Sequence, residues 1–180
     1  MFNTKLSQCM PLMAAMCLTI VAHAQTPAPG TPAALPPAPP RARGPSLALA
    51  VEAAQVANAT CTANGYKTTA LIVDSAGVPV AMLSGDGAAE RTQAIALTKT
   101  AAAIQYNMSS GEVLARTKTD ANLDAEVKAN PKIGTLRQGA LLLKVGNDTI
   151  GAIAVSGAPG GDKDEVCAQA AIDKIKDRLR

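Results

Sequence analysis

The chain has 180 residues, only 2% of them aromatic, and its formal net charge of +3 comes from 17 Lys and Arg against 14 Asp and Glu. Lys5, Arg41 and Arg43 account for the excess, so residues 46–180 carry 14 cationic and 14 acidic side chains. A neutral domain with almost no aromatic surface for base stacking argues against DNA or RNA as a partner.

The first 25 residues have the features of a secretory signal peptide. Lys5 precedes a mostly apolar stretch, residues 10–21, and Ala22 and Ala24 flank His23 in an A-x-A cleavage pattern. The apolar stretch is too short for a permanent membrane span. We therefore expect cleavage after Ala24, no membrane span, and a mature protein that is periplasmic or secreted.

Cleavage would also change the chemistry that the chain can perform. His23 is the only histidine, so the mature protein would have no imidazole for a Ser-His-Asp triad or for ligating zinc or haem. Residues 26–45 then form a linker, because their eight prolines favour extended conformations that cannot build a core. The folded domain is expected over residues 46–180, a normal size for one domain.

Helical and hairpin patterns alternate along this predicted domain. Ser46 is a good N-cap for the first helix, and Pro79 near the start of a strand indicates a sheet edge. Residues 119–137 are polar and predict no element. Strands joined as hairpins favour an antiparallel sheet flanked by helices, the α+β class. In chain order the pattern predicts a helix over 46–63, strands over 68–73 and 78–83, helices over 88–105 and from 109 or 110, strands over 140–145 and 149–156, and a helix over 162–179.

Two cysteines remain after the predicted cleavage, and both lie on apolar helix faces. Cys61 is on the first predicted helix and Cys167 on the last. Export to an oxidising compartment favours a disulfide between them, with two separate buried thiols as the alternative.

The glycine-rich loop ahead of the last helix, Gly157–Gly161, offers the free backbone amides of an anion-binding loop. Asp162, Asp164 and Glu165 fill the first helical turn and would repel an anion, and no nucleotide-binding pattern is present. A structural capping loop is the preferred interpretation. Acidic residues at a helix start also need no metal ion, so no metal site is predicted.

A mixed-charge group surrounds the start of the alanine-rich helix, comprising Asp86, Glu90, Arg91 and Lys99. A carboxylate and a cation beside a glycine turn could orient a small acidic ligand, or Asp86 could act as a base. Helix capping and solvated ion pairs explain the same residues equally well.

Three stretches together resemble a known family: ALIVDSAGVPVAMLSGDGA at 70–88, AIALTKTAAAI at 94–104 and GAIAVSGAPGGDKDEVCAQAAIDKI at 151–175. They are similar to the GlcG/HbpS-type haem-binding family, which is related to the C-terminal domain of PduO-type proteins. The resemblance implies a small α+β sandwich with a five-stranded antiparallel sheet that assembles into dimers and often octamers.

The resemblance also implies a ligand and a set of residues that could line its pocket. The ligand is haem or a related tetrapyrrole, bound non-covalently because the chain lacks a CxxCH motif. Without histidine, iron would need an axial ligand such as Tyr66, Met82 or a lysine, and Tyr106 and Met108 are the candidates nearest each other. Matched by position, the family's motifs fall on Asp74, Asp86, Gly87, Lys99, Ser156, Gly157 and Asp164.

These observations lead to three functional hypotheses. The first is an exported, non-catalytic binding protein for haem, another tetrapyrrole or a similar small ligand. The second is an accessory protein of a catabolic pathway that binds or processes a small oxygenated acid through Asp86, Arg91 and Lys99. The third is an oligomeric scaffold without a ligand.

Overall fold

The computed structural model describes residues 42–180, so the predicted signal peptide (1–25) and the linker up to residue 41 lie outside the described residues. The helices and strands of the described part, in chain order, are α1 (Leu47–Ala63), β1 (Thr69–Asp74), β2 (Pro79–Ser84), α2 (Arg91–Tyr106), α3 (Ser110–Thr117), α4 (Ala121–Ala129), β3 (Ala140–Val145), β4 (Asp148–Ser156) and α5 (Gly161–Ile175), followed by a short 3₁₀ turn (Lys176–Arg178). In residues 42–180, no helix combines the length and apolar character needed to cross a bilayer.

The helix boundaries follow from local capping. Ser46 caps α1 as predicted, its Oγ accepting a hydrogen bond from the Leu49 amide (3.4 Å). Helix α2 begins at Arg91, three residues later than predicted, because residues 85–90 form turns in which the Ala88 amide donates to the Gly85 carbonyl (3.0 Å). Helix α4 was not predicted. Asp120 caps it by accepting from the first amides of the helix.

The sheet is antiparallel throughout, with strand order β2-β1-β4-β3. Both predicted hairpins are present, and β2, which begins at the exposed Pro79, lies at an edge as expected. The number of strands implied by the family resemblance, five, is wrong for the described residues, which contain four. Between α2 and β3 the chain forms α3, α4 and turns, so no extended segment there is free to add a strand. The α+β class itself is confirmed.

Helices cover both faces of the sheet. Ile72 and Ile153 face α1 and α5 in one core, while Leu71, Val73 and Ala152 face α2 in another. This alternation along the strands is the period of two expected of a sheet buried on both sides. Each large aliphatic side chain buried in this way contributes roughly 1.5–3 kcal/mol to folding.

A disulfide joins the two helices of the first face. Cys61 on α1 bonds to Cys167 on α5, with Cα atoms 5.6 Å apart, so the predicted bridge is confirmed. It links positions 106 residues apart in sequence. In the chain-entropy account, a loop of that length corresponds to about 4–5 kcal/mol of stabilisation through restriction of the unfolded chain.

The two ends of the sheet differ in character. At one end lie both hairpin turns, where Arg43 forms an ion pair with Asp148 (2.7 Å) and its carbonyl accepts from the Ser75 amide (2.8 Å). At the other end, strand pairing places Thr69 opposite both Ser84 and Ser156. We call this second end, with no hairpin turn, the open end of the sheet. A cleft lies at this end.

Candidate functional site

A cleft of about 900 Å³ lies at the open end of the sheet. It is bounded by the start of α2, the glycine-rich loop before α5, and the segment that leads into β3. The residues that line it are Lys67, Gly87, Ala89, Arg91, Thr92, Ile95, Lys99, Leu114, Leu136, Arg137, Gln138, Ser156, Gly157, Ala158, Pro159, Gly160, Gly161 and Asp164.

A buried ion pair forms the floor of this cleft. Lys99 Nζ lies 2.7 Å from Asp164 Oδ2, and the two side chains are only 2% and 4% exposed. The same Nζ donates to the Val155 carbonyl (2.7 Å), and Asp164 Oδ1 accepts from the Ala158 amide (3.0 Å). The ammonium therefore keeps one N–H without a protein acceptor among residues 42–180.

Burial shifts both pKa values towards the neutral forms. Desolvation lowers the pKa of Lys99 and raises the pKa of Asp164, and the attraction between the two charges opposes each shift. Arg137 adds to the lowering of the Lys99 pKa, which places its positive charge near the ammonium. Desolvation is the largest cause of the shift in each case, so burial opposes the charged form of both groups.

Two glycines allow the backbone to close around the ion pair. Gly139 has φ +131°, and a Cβ there would contact Lys99 Nζ and lie 2.8 Å from the Val155 carbonyl oxygen. Gly157 has φ +133°, and a Cβ there would contact the Lys67 carbonyl oxygen. Both positions combine a backbone conformation that favours glycine with a close approach that excludes a side chain.

The rim of the cleft carries unneutralised positive charge. Lys67, Arg91 and Arg137 are exposed, and none of them forms an ion pair within residues 42–180. Asp164 is the one carboxylate that the described part of the chain places in the lining, and it is paired with Lys99. An anionic ligand would therefore meet, in a concave site, three cations that form no ion pair within residues 42–180.

Of the eight ligand-binding residues predicted from the sequence, the fold brings six to this cleft: Gly87, Arg91, Lys99, Ser156, Gly157 and Asp164. Asp74 lies in the β1–β2 turn at the opposite end of the sheet. Its Oδ1 accepts from the Ala76 and Val78 amides (2.9 Å each), so it closes that turn. Asp86 is exposed in the turn before α2 and does not line the cleft.

The two axial-ligand candidates lie in a different part of the domain. Tyr106 and Met108 pack against the cluster that joins α2, α3 and α4. The Tyr106 hydroxyl donates to Glu126 (3.0 Å), and Met108 Sδ accepts from Arg116 (3.7 Å). Neither residue lines the cleft.

Lys67, Arg137 and Gln138 are cleft residues that the sequence reasoning missed. Lys67 precedes β1, whose start pairs with the end of β4, so the strand register would have placed it beside Gly157. Arg137 follows the polar region that predicted no element. Its position depends on α3 and α4 and has no local signal.

The geometry of the glycine-rich loop agrees with the capping interpretation. The Asp164 carboxylate accepts the Ala158 amide and so occupies the concavity that an anion would need. Glu165 instead accepts from Gln138 (2.7 Å), so the acidic residues of this helix start point to separate partners. Within residues 42–180, no group of three His, Cys, Asp or Glu side chains is close enough to hold a metal ion.

Comparison with known proteins gives one family match and several similar solved structures. The family model of HbpS-like haem-degrading proteins matches residues 46–173. The crystal structure of HbpS is 26% identical and covers 79% of this chain and 98% of its own, with a TM-score of 0.69. A double mutant of HbpS from Streptomyces reticuli is also 26% identical, covers 83% of this chain and 99% of its own, and has a TM-score of 0.70. No curated protein sequence matches the chain.

A more distant structure has the same fold. The complex of PduOC with haem is 19% identical to this chain, covers 72% of it and 94% of its own length, and has a TM-score of 0.65.

Proposed function

Because the chain belongs to the HbpS-like family, we propose that it is an exported protein that binds haem or a related tetrapyrrole in the cleft at the open end of the sheet. The observation that carries the proposal is the cationic rim formed by Lys67, Arg91 and Arg137 around a concave site of about 900 Å³. A haem group carries two propionates, and guanidinium groups bind carboxylates with charge-assisted hydrogen bonds.

The lining matches some parts of haem better than others. The cationic rim suits the propionates, and the volume lies within the range of cofactor sites. Ile95, Leu114 and Leu136 supply apolar surface for a planar ring. Among residues 42–180, no histidine, cysteine, methionine or tyrosine lines the cleft, so this part of the chain supplies none of the usual ligands of haem iron there.

We propose binding without catalysis. Lys99 and Asp164 are the buried acid and base of the site, and each already forms a hydrogen bond to the other. Transfer of a proton from Lys99 to a ligand would leave the buried Asp164 carboxylate without its compensating charge, which argues against a proton-transfer role. We therefore assign the cleft residues to ligand binding.

A titration of the mature chain, residues 25–180, with hemin tests the proposal. We expect a shifted Soret band that saturates at a fixed ratio, and binding about a hundredfold or more weaker in Arg91→Gln/Arg137→Gln, since charged hydrogen bonds contribute about 1.5–3 kcal/mol each. Lys118→Gln, at an exposed lysine outside the cleft, is the matched control. Affinity equal to that of an unrelated protein of similar size would refute the proposal.

A small carboxylate is the second candidate ligand, favoured by the free N–H of Lys99 at the floor of the cleft. Asp86, which the sequence grouped with Arg91 and Lys99, lies outside the lining, so the cations alone would bind the acid. Thermal unfolding in a panel of small carboxylates should show a concentration-dependent increase in Tm that Arg91→Ala removes. A constant Tm across the panel would exclude this candidate.

Location and assembly complete the proposal. We propose that the protein is periplasmic or secreted, consistent with the predicted signal sequence and the Cys61–Cys167 disulfide. We propose a homo-oligomer, from dimer to octamer, as the family resemblance implies. N-terminal sequencing of the exported chain and light scattering would test the two statements separately. An octamer that binds no ligand would favour the scaffold hypothesis instead.

A further inference from the structure

We infer that the cleft recognises a tetrapyrrole through its carboxylates and not through its iron, so that the metal-free porphyrin binds about as tightly as haem. This inference rests on the proposed function. It goes further by naming the part of the ligand that is bound, and it extends the ligand class to porphyrins that contain no iron.

The first step of the argument is the placement of the cations. The Lys67 side chain lies against the turn before α2, since a Cβ at Gly87 would be 3.2 Å from its Nζ. Arg91 is the first residue of α2, so it follows the same turn closely. Arg137 comes from the segment before β3. Lys67 and Arg91 therefore lie beside one turn and Arg137 comes from a different segment, so more than one cation is available to the two carboxylates of one ligand.

The second step is the absence of iron donors from the lining. Tyr106 and Met108 pack in the cluster beside α3 and α4, and Met82 packs in the core beneath α2. Tyr66 packs against the other core, with Lys163 Nζ 5.8 Å from the centre of its ring. None of these four side chains lines the cleft.

The third step concerns Lys67 and Lys99, the two lysines that line the cleft and the remaining type of axial ligand named from the sequence. Lys99 is held by Asp164 and the Val155 carbonyl, so ligating iron would break a buried ion pair. Lys67 is exposed and unpaired within residues 42–180, and its ammonium must lose a proton before it can bind iron. As a cation it can bind a carboxylate directly.

The test compares three ligands on the mature chain: hemin, protoporphyrin IX and protoporphyrin IX dimethyl ester. Dissociation constants come from ligand absorbance and, for the metal-free compounds, from fluorescence. We expect hemin and protoporphyrin to bind within about threefold of each other, and the ester about tenfold or more weaker, because it lacks the charged acceptors. Hemin binding more than about tenfold tighter than protoporphyrin would overturn the inference and leave the proposed function standing.

Variants distinguish charge from iron ligation. Lys67→Gln and Arg137→Gln should weaken hemin and protoporphyrin by the same factor, while Lys118→Gln should change neither. Loss of hemin binding alone in Lys67→Gln would identify an iron ligand and overturn the inference, as would undiminished binding of the ester. Failure of all three compounds to bind would overturn the proposed function and the inference with it.

Discussion

The buried pair of Lys99 and Asp164 gives the most quantitative prediction for this fold. In Lys99→Met, the Asp164 carboxylate stays buried and retains only the Ala158 amide as a partner. Removing one member of a buried ion pair typically costs about 3–5 kcal/mol, a large part of the roughly 5–15 kcal/mol stability of a domain. Asp164→Asn should cost a similar amount, because it removes the charge that compensates the buried ammonium, and the one amide oxygen can accept from Lys99 or from the Ala158 amide but not from both.

The double variant Lys99→Met/Asp164→Leu should be far more stable than the sum of the two single losses suggests. No charge remains buried in the double variant. The residual cost comes from the Ala158 amide and the Val155 carbonyl, because each loses its side-chain partner. Each group left unsatisfied costs about 1–3 kcal/mol. The single variants and the double variant differ because a charge left without its partner stays desolvated, and desolvation is the largest cause of both pKa shifts.

The dependence on pH has an opposite sign in the two single variants. The pKa of Asp164 is raised above its ordinary 3.8. In Lys99→Met, folding therefore favours the protonated carboxyl group, and this contribution to stability is fully present below pH 3.8 and is lost as pH rises through the raised pKa. The pKa of Lys99 is lowered below 10.5, so the penalty in Asp164→Asn is present below the lowered pKa and fades as pH rises towards 10.5. The first variant should improve in acid and the second in alkali, each relative to wild type.

Urea unfolding followed by circular dichroism, at several pH values, measures these differences. Lys128→Met and Asp124→Asn form the matched control, since that pair is exposed at 70% and 36% and is spaced i,i+4 on α4. Exposed pairs contribute about 0–1 kcal/mol, so the control variants should change little. Additive losses in the buried double variant, or identical pH profiles of the two single variants, would refute the reasoning.

Three further predictions concern stability. Cys61→Ser/Cys167→Ser should lower the free energy of unfolding by about 2–5 kcal/mol. A reductant should lower the Tm of wild type but not of this variant, and equal Tm values of wild type in reductant and oxidant would contradict a stabilising role of the bridge. Gly139→Ala should cost more than about 1 kcal/mol, because its φ of +131° and its approach to Lys99 both exclude a Cβ. Gly146→Ala, at φ +59° with open space around it, should cost less, and a loss at Gly139 no larger than at Gly146 would contradict this reasoning. Ser109→Ala should cost about 0.5–2 kcal/mol by removing the capping box with Glu112, and an unchanged urea midpoint would contradict that role.

The parts of the fold that depend on local signals were predictable from the sequence. Ser46 as an N-cap, Pro79 at a sheet edge and the two hairpins each require only a few neighbouring residues, and the structure contains all of them. Helix α4 was missed because its nine residues contain only two large apolar side chains, Leu123 and Val127, and its main signal is a single capping residue, Asp120. The fifth strand came from the family resemblance and not from any run of residues in this chain.

The cleft was only partly predictable, because it depends on register and long-range packing. Lys99 and Asp164 lie 65 residues apart, and the sequence treated them as members of two unrelated charge groups. Their pairing requires α2 and α5 to lie on opposite faces of the sheet and to meet beyond the end of β4. Asp74 matches the family motif by position, but its two hydrogen bonds within the turn show that it closes the turn after β1.

A crystal of the mature chain grown with hemin, with data collected at the iron absorption edge, tests the central claim most directly. The account predicts one anomalous iron peak per site inside the cleft, with the propionates at Arg91, Arg137 or Lys67 and no protein atom bonded to the iron. A peak beside Tyr106 and Met108, or at any surface away from the cleft, would contradict it.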